Sequence, residues 1–197
     1  MEVIKYVMRF LSIFINFAIV VMVFGAVLAH IRKNPAHLVF RYFTVQSNVF
    51  CALACMVFAI SRIVGDVPEA VYVLRYVGTV AVMVTFLTVM LFLGPKEGTY
   101  KNLMSGPDLY LHLICPIAAL VSYIFLDGTR MSIWAVICGM LPVILYGILY
   151  LKKVVFTDGD RAWDDFYGFN VDGKWKLSFL LMVAATAILS FVLYIIV

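Results

Sequence analysis

Two short polar stretches stand out in an otherwise apolar chain, and between them they hold a hydroxyl, an imidazole and a carboxylate. The first is FRYFTVQSN, Phe40 to Asn48; the second is PDLYLHLICPI, Pro107 to Ile117. Thr44 and Asn48 are one helical turn apart with Ser47 alongside, so all three can share a helix face. Asp108 stands one turn before His112, where it can accept a hydrogen bond from one ring nitrogen and fix the tautomer. The other nitrogen is then free to act as a base. A hydroxyl, an imidazole and an orienting carboxylate are the parts of an activated nucleophile. Each part also has a plain structural use. A threonine near a helix end bonds back to its own helix, and Gln46, Ser47 and Asn48 can join helices. Asp108 can simply favour a helix N-terminus.

These stretches have to be positioned in a membrane. Hydrophobic residues make up 65% of the chain and charged residues 13%, with a mean hydropathy of +1.06. Soluble domains carry about twice that charged fraction. A net charge of +4 is too modest to indicate nucleic-acid binding. Six apolar runs are each long enough to span, given that a spanning helix needs ~20 apolar residues. They cover residues 3–29, 38–64, 70–93, 107–126, 132–151 and 176–197. The expected fold is all-α: one six-helix transmembrane domain over residues 1–197. The first run is too long for a signal-peptide core, and five more follow it. Cys51, Cys55, Cys115 and Cys138 all fall inside apolar runs and read as small buried hydrophobes.

Alternating helix direction places loops one, three and five on one face. With their flanks these carry Arg32, Lys33, Arg41, Lys96, Lys101, Lys152, Lys153, Arg161, Lys174 and Lys176. The other face has Lys5, Arg9, Arg62, Arg75 and Arg130. By the Lys/Arg bias the odd loops are cytoplasmic. Thr44 lies ~4.5 Å deeper than Arg41, and His112 ~7.5 Å into the fourth span from the same face. The two side chains therefore enter from one side at comparable depth. A site that is wet at its mouth and apolar below suits an ester with long acyl chains.

Two other readings fit parts of the pattern. His30, His37 and His112 with Asp108 could hold zinc in a metal-dependent lipid hydrolase, although no helical His pair at i, i+4 supports it. A non-enzymatic lipid-binding or transport-related bundle would use Asn16, Thr79, Thr85 and Thr88 as a polar path or as packing contacts. Loop five, KKVVFTDGDRAWDDFYGFNVDGKW, mixes acids with aromatic residues and suits either an interfacial lid or an aromatic belt.

The Thr44 and His112 segments resemble those of the androgen-induced and androgen-dependent TFPI-regulating proteins. The likeness is greater to the bacterial six-span members of that superfamily, and DFYGF in loop five is similar to an aromatic motif of those relatives. The resemblance implies a membrane threonine hydrolase of fatty acid esters of hydroxy fatty acids, in the bacterial cytoplasmic membrane and without a cofactor. It implies Thr44 as nucleophile and His112 as its partner. Asp108 is added from spacing. Asn48, Gln46 and Ser47 are candidate oxyanion donors, and Arg41 is the candidate for a substrate carboxylate, with Lys33 or Lys101 in reserve.

Overall fold

With no water to satisfy them in an apolar phase, backbone amides and carbonyls must pair within their own segment, so each apolar run closes into a helix. The computed structural model describes residues 2–98, 100–128 and 131–197. Its six long helices are α1 (Glu2–Ile31), α2 (Phe43–Val64), α3 (Glu69–Lys96), α4 (Pro107–Asp127), α5 (Ala135–Val154) and α6 (Trp175–Ile195). All six are long and apolar enough to cross a membrane, as the sequence predicts. Arg130, counted above on the even-loop face, lies outside the described residues.

The second helix starts later than its hydrophobicity suggests. Pro35 opens a single turn, Ala36–Val39, and the chain then extends through Tyr42 (φ −86°, ψ 134°) before α2 begins at Phe43. The break survives because its freed carbonyls find partners. Gln46 Nε2 donates to Phe40 O at 2.7 Å, and Tyr146 Oη donates to Arg41 O at 2.8 Å. Thr44 thus sits in the first turn of its helix instead of the second.

Three π-helical turns interrupt the α geometry at Val89–Leu93, Tyr110–Ile114 and Tyr123–Asp127. Proline explains the first two. Pro95 and Pro116 lack an amide proton and crowd the carbonyls four residues back, Leu91 and His112, which widens those turns.

α3 is the central helix, touching α2, α4, α5 and α6. Of its apolar window 56% is buried, against 17% for α6 at the edge. Gly78 permits the approach of α2, since a Cβ there would lie 3.0 Å from Cys51 Cα. Cys51, Cys55 and Cys115 are buried among Ile19, Val23 and Leu111, as free thiols in an apolar core.

One feature departs from the expectation that charges gather at span ends. Arg75, counted among loop-flank charges, is fully buried inside the bundle, roughly 9 Å along α3 from Glu69. It pairs with Asp127 at 3.0 Å, both side chains being 1% exposed. Neighbouring groups fill Asp127 Oδ1 and the remaining Arg75 donors, while Oδ2 faces the guanidinium alone. Asp127 Oδ1 accepts from Ser12, Asn16 and Ser122 at 2.8, 3.0 and 2.9 Å. Arg75 also donates to Asn16 Oδ1, Thr79 Oγ1 and Ala119 O. Arg62 donates to Ser12 Oγ and to the carbonyls of Leu126 and Asp127, closing the end of α4. Asn16 and Thr79, read from sequence as path or packing residues, belong to this knot.

Removing one member leaves a buried charge without its counterion, which costs about 3–5 kcal/mol. Asp127→Ala should therefore lower the thermal midpoint in detergent far more than Asp66→Ala, at an exposed position, and circular dichroism melting checks this.

Candidate active site

Around the start of α2, three segments distant in sequence meet. The first amides of a helix lack intrahelical partners, and no side chain of the Tyr42 cap supplies one here. Loop five does. Tyr167 Oη accepts the Phe43 amide at 3.1 Å, and the hydroxyls of Thr44 and Tyr146 and the Thr44 amide also turn toward that oxygen. Burial pushes the Tyr167 hydroxyl up to about 12, opposed by these donors, so it keeps its proton at neutral pH.

Tyr167 is held there by a hydrogen-bonded knot within loop five. Asp165 Oδ1 accepts from Tyr150 Oη (2.9 Å) and the Phe169 amide (2.8 Å), and Oδ2 accepts from the Asn170 amide (2.7 Å). Tyr150 Oη in turn accepts the Tyr167 amide at 3.0 Å. The aromatic rings fill the space between. Phe166 lies 4.7 Å from Tyr42, 4.9 Å from Tyr150 and 4.6 Å from Tyr167. Gly168, at φ +72°, turns the chain away at a conformation that side-chain-bearing residues avoid. Loop five is thus neither a loose lid nor only an interfacial belt. Its DFYGF segment packs into the end of the bundle.

Below Tyr167 opens a cavity of about 530 Å³ between α3, α5 and α6. Thr44, Thr85, Tyr146, Tyr150 and Tyr167 are among its polar lining residues, with Thr88, Ser178 and Thr186, and leucine, valine, methionine and phenylalanine make most of the wall apolar. Its size and lining are those of a site for an apolar ligand with one polar group.

His112 occupies the proline-widened turn of α4 and is buried. Its Nδ1 lies 2.7 Å from Leu103 O. A carbonyl can only accept, so Nδ1 carries the proton and Nε2 keeps its lone pair. Among the described residues nothing donates to Nε2. The orienting partner expected from spacing, Asp108, is turned elsewhere: it lies 3.1 Å from His30 Nε2. The π turn that begins at Tyr110 breaks the one-turn register on which that expectation relied.

Asn48 ties the two segments together. Its Nδ2 donates to Thr44 O at 2.8 Å and to Leu111 O at 2.9 Å, so the turn bearing Thr44 lies against the turn bearing His112. Asn48 Oδ1 is buried without a partner. His112 is not among the residues lining the 530 Å³ cavity, whereas Thr44 is. The other donors named from sequence are engaged: Gln46 on Phe40 O, Ser47 with Thr85 Oγ1 at 2.8 Å and with Thr44 O at 3.2 Å. Arg41 donates to Tyr42 Oη and stacks over the Tyr42 and Phe166 rings at 5.1 and 5.6 Å, with no acidic partner among the described residues. His30 is committed to Asp108 and His37 is exposed. Among the described residues no three metal-ligating side chains converge.

Tyr146, Tyr150, Asp165 and Tyr167 were not picked out from sequence as site residues. The usable signal was DFYGF, an acid and three aromatics around a glycine in a connection otherwise rich in charge.

The chain matches no family model, no curated protein and no solved structure. Its class rests on the fold: a bundle of six helices with the length and apolarity of a multi-pass membrane protein.

Each hydrogen bond to Asp165 contributes about 1 kcal/mol or somewhat more for an ionised acceptor. Asp165→Ala should free the Phe166–Asn170 segment, seen as faster proteolysis within loop five and a lower thermal midpoint.

Proposed function

We propose that the chain is a membrane-embedded lipid ester hydrolase with Thr44 as nucleophile and His112 as general base. Its substrates are fatty-acyl esters, among them fatty acid esters of hydroxy fatty acids. We place it in the bacterial cytoplasmic membrane, with loops one, three and five facing the cytoplasm. The observation that carries the reading is Thr44 in the lining of a largely apolar 530 Å³ cavity, one Asn48-bridged contact from the His112 turn.

Thr44 is weakly nucleophilic by itself and requires a base. His112 is suited to that role because Leu103 O holds its Nδ1 proton and leaves Nε2 to accept. The partial positive charge at the start of α2 favours negative charge developing near Thr44. The acyl chain runs down the cavity and the hydroxy-acid portion faces the odd-loop surface. Leu103 O takes over the orienting part first given to Asp108, and Asp108 pairs with His30 further out. Arg41, braced on two rings, offers its guanidinium to a free carboxylate at headgroup depth.

A lipid-binding protein without turnover is the second reading. It is favoured by the separation of His112 from the lining of the cavity that Thr44 shares.

Purified wild type, Thr44→Ala and His112→Ala, assayed on a panel of lipid esters, separate the two. Turnover should fall by at least 10³-fold in Thr44→Ala, as expected when a nucleophile is lost, and a threonine-directed phosphonate should label wild type only. Retained turnover in that variant removes Thr44 as the nucleophile. Ligand binding with no turnover in wild type establishes the second reading.

Arg41→Gln should raise KM about tenfold for carboxylate-bearing esters while leaving their methyl-capped counterparts unchanged, the loss of one charge-assisted contact. An equal KM change for both substrates would remove Arg41 from substrate recognition.

A further inference from the structure

Tyr167 has no task in the mechanism above, yet its hydroxyl oxygen meets the first amide of α2, at 3.1 Å from Phe43 N. We propose that its phenolic O–H is the oxyanion donor of the Thr44 site. The inference rests on the hydrolase reading and supplies the group that reading lacks.

Of the donors the sequence offers near Thr44, each is engaged. Asn48 Nδ2 holds two carbonyls, Gln46 caps Phe40 and Ser47 is bonded to Thr85 and Thr44 O. In Tyr167 the arrangement is the reverse. Its oxygen is the acceptor for the Phe43 amide and is faced by the Thr44 and Tyr146 hydroxyls, and among the described residues no carbonyl or carboxylate holds its proton, which a substrate oxygen can take in place of the Tyr146 hydroxyl. An amide donated to a phenol oxygen polarises the O–H and strengthens the bond it makes in turn. Burial keeps that proton in place at neutral pH. Tyr150 and Asp165 fix the backbone on either side of the ring, so the donor is set before substrate arrives. Preorganisation of this kind is what makes an oxyanion donor effective.

The step balances without further reagents. Thr44 Oγ bonds to the ester carbon, the π pair of the carbonyl moves to its oxygen, and the threonine proton passes to His112 Nε2. Tyr167 hydrogen-bonds the new oxyanion and keeps its proton. On collapse the carbonyl re-forms, the ester C–O bond breaks, and the departing alkoxide takes the proton from His112. Water then repeats the sequence on the acyl-threonine and releases the acid.

The competing role for Tyr167 is purely structural, as a cap on α2, and the test separates the two. Tyr167→Phe should lower kcat about 10²–10³-fold, the usual loss for one oxyanion donor, with KM nearly unchanged. A cap alone predicts a lower thermal midpoint with kcat retained, and that result overturns the proposal. If Tyr167→Phe does not fold, 3,5-difluorotyrosine at position 167 keeps the cap and lowers the hydroxyl pKa. The rate should then show an alkaline limb at lower pH than wild type; an unshifted profile also overturns the proposal. Absence of turnover in wild type refutes the hydrolase reading and this inference with it, whereas turnover lost in Thr44→Ala but kept in Tyr167→Phe refutes the inference alone.

Discussion

The ion pair between Arg75 and Asp127 constrains the whole bundle. Two opposite charges fully removed from water are stable only if they meet and if their remaining hydrogen-bonding positions are filled. Here the filling comes from α1 through Ser12 and Asn16, from α2 through Arg62, and from α4 through Ser122 and Ala119. The third π turn, Tyr123–Asp127, carries Asp127 at its end and has no proline to cause it. Winding that turn more widely lets the carboxylate reach the bundle interior. Four helices are thereby locked in register at one end.

The opposite end is organised by different means. No buried charge pair joins α5 and loop five to α2 among the described residues. Tyrosine hydroxyls do so instead, on Arg41 O, Phe43 N and Asp165. The chain can begin α2 at Phe43 only because Tyr146 and Gln46 absorb the carbonyls exposed by the break, and because Tyr167 meets the first amide. Thr44 owes its place in the first helical turn to three side chains, two of them more than 100 residues away. The same late start puts Thr44 in the lining of the cavity.

Much of this was legible in the sequence, and the failures have identifiable causes. Six spans follow from hydrophobic run length, because a continuous apolar segment in lipid has few options. The polar face of Thr44, Ser47 and Asn48 follows from helical spacing. The partner of Asp108 did not, since one extra residue in a π turn moves a side chain off the expected face and spacing cannot register that. Arg75 was placed with the loop charges because composition records how far a charge lies from a helix end but not what stands opposite it. Asp127 sits four helices' worth of contacts away from any local pattern. Tyr167 was visible as part of an aromatic cluster, but its contact with Phe43 spans 124 residues, and nothing local distinguishes a tyrosine that caps a distant helix from one lying at an interface.

Leu91, Phe92 and Leu181 line the cavity and are also 62%, 67% and 60% exposed. Where α3 and α6 border the cavity, its wall is therefore apolar and incompletely covered by the rest of the bundle. Under the function proposed, an amphiphile entering there would never have to desorb into water. Its supply to the protein is then set by its mole fraction within the surrounding leaflet, so diluting the bilayer with inert lipid starves the site even when the total amount in the vessel is unchanged.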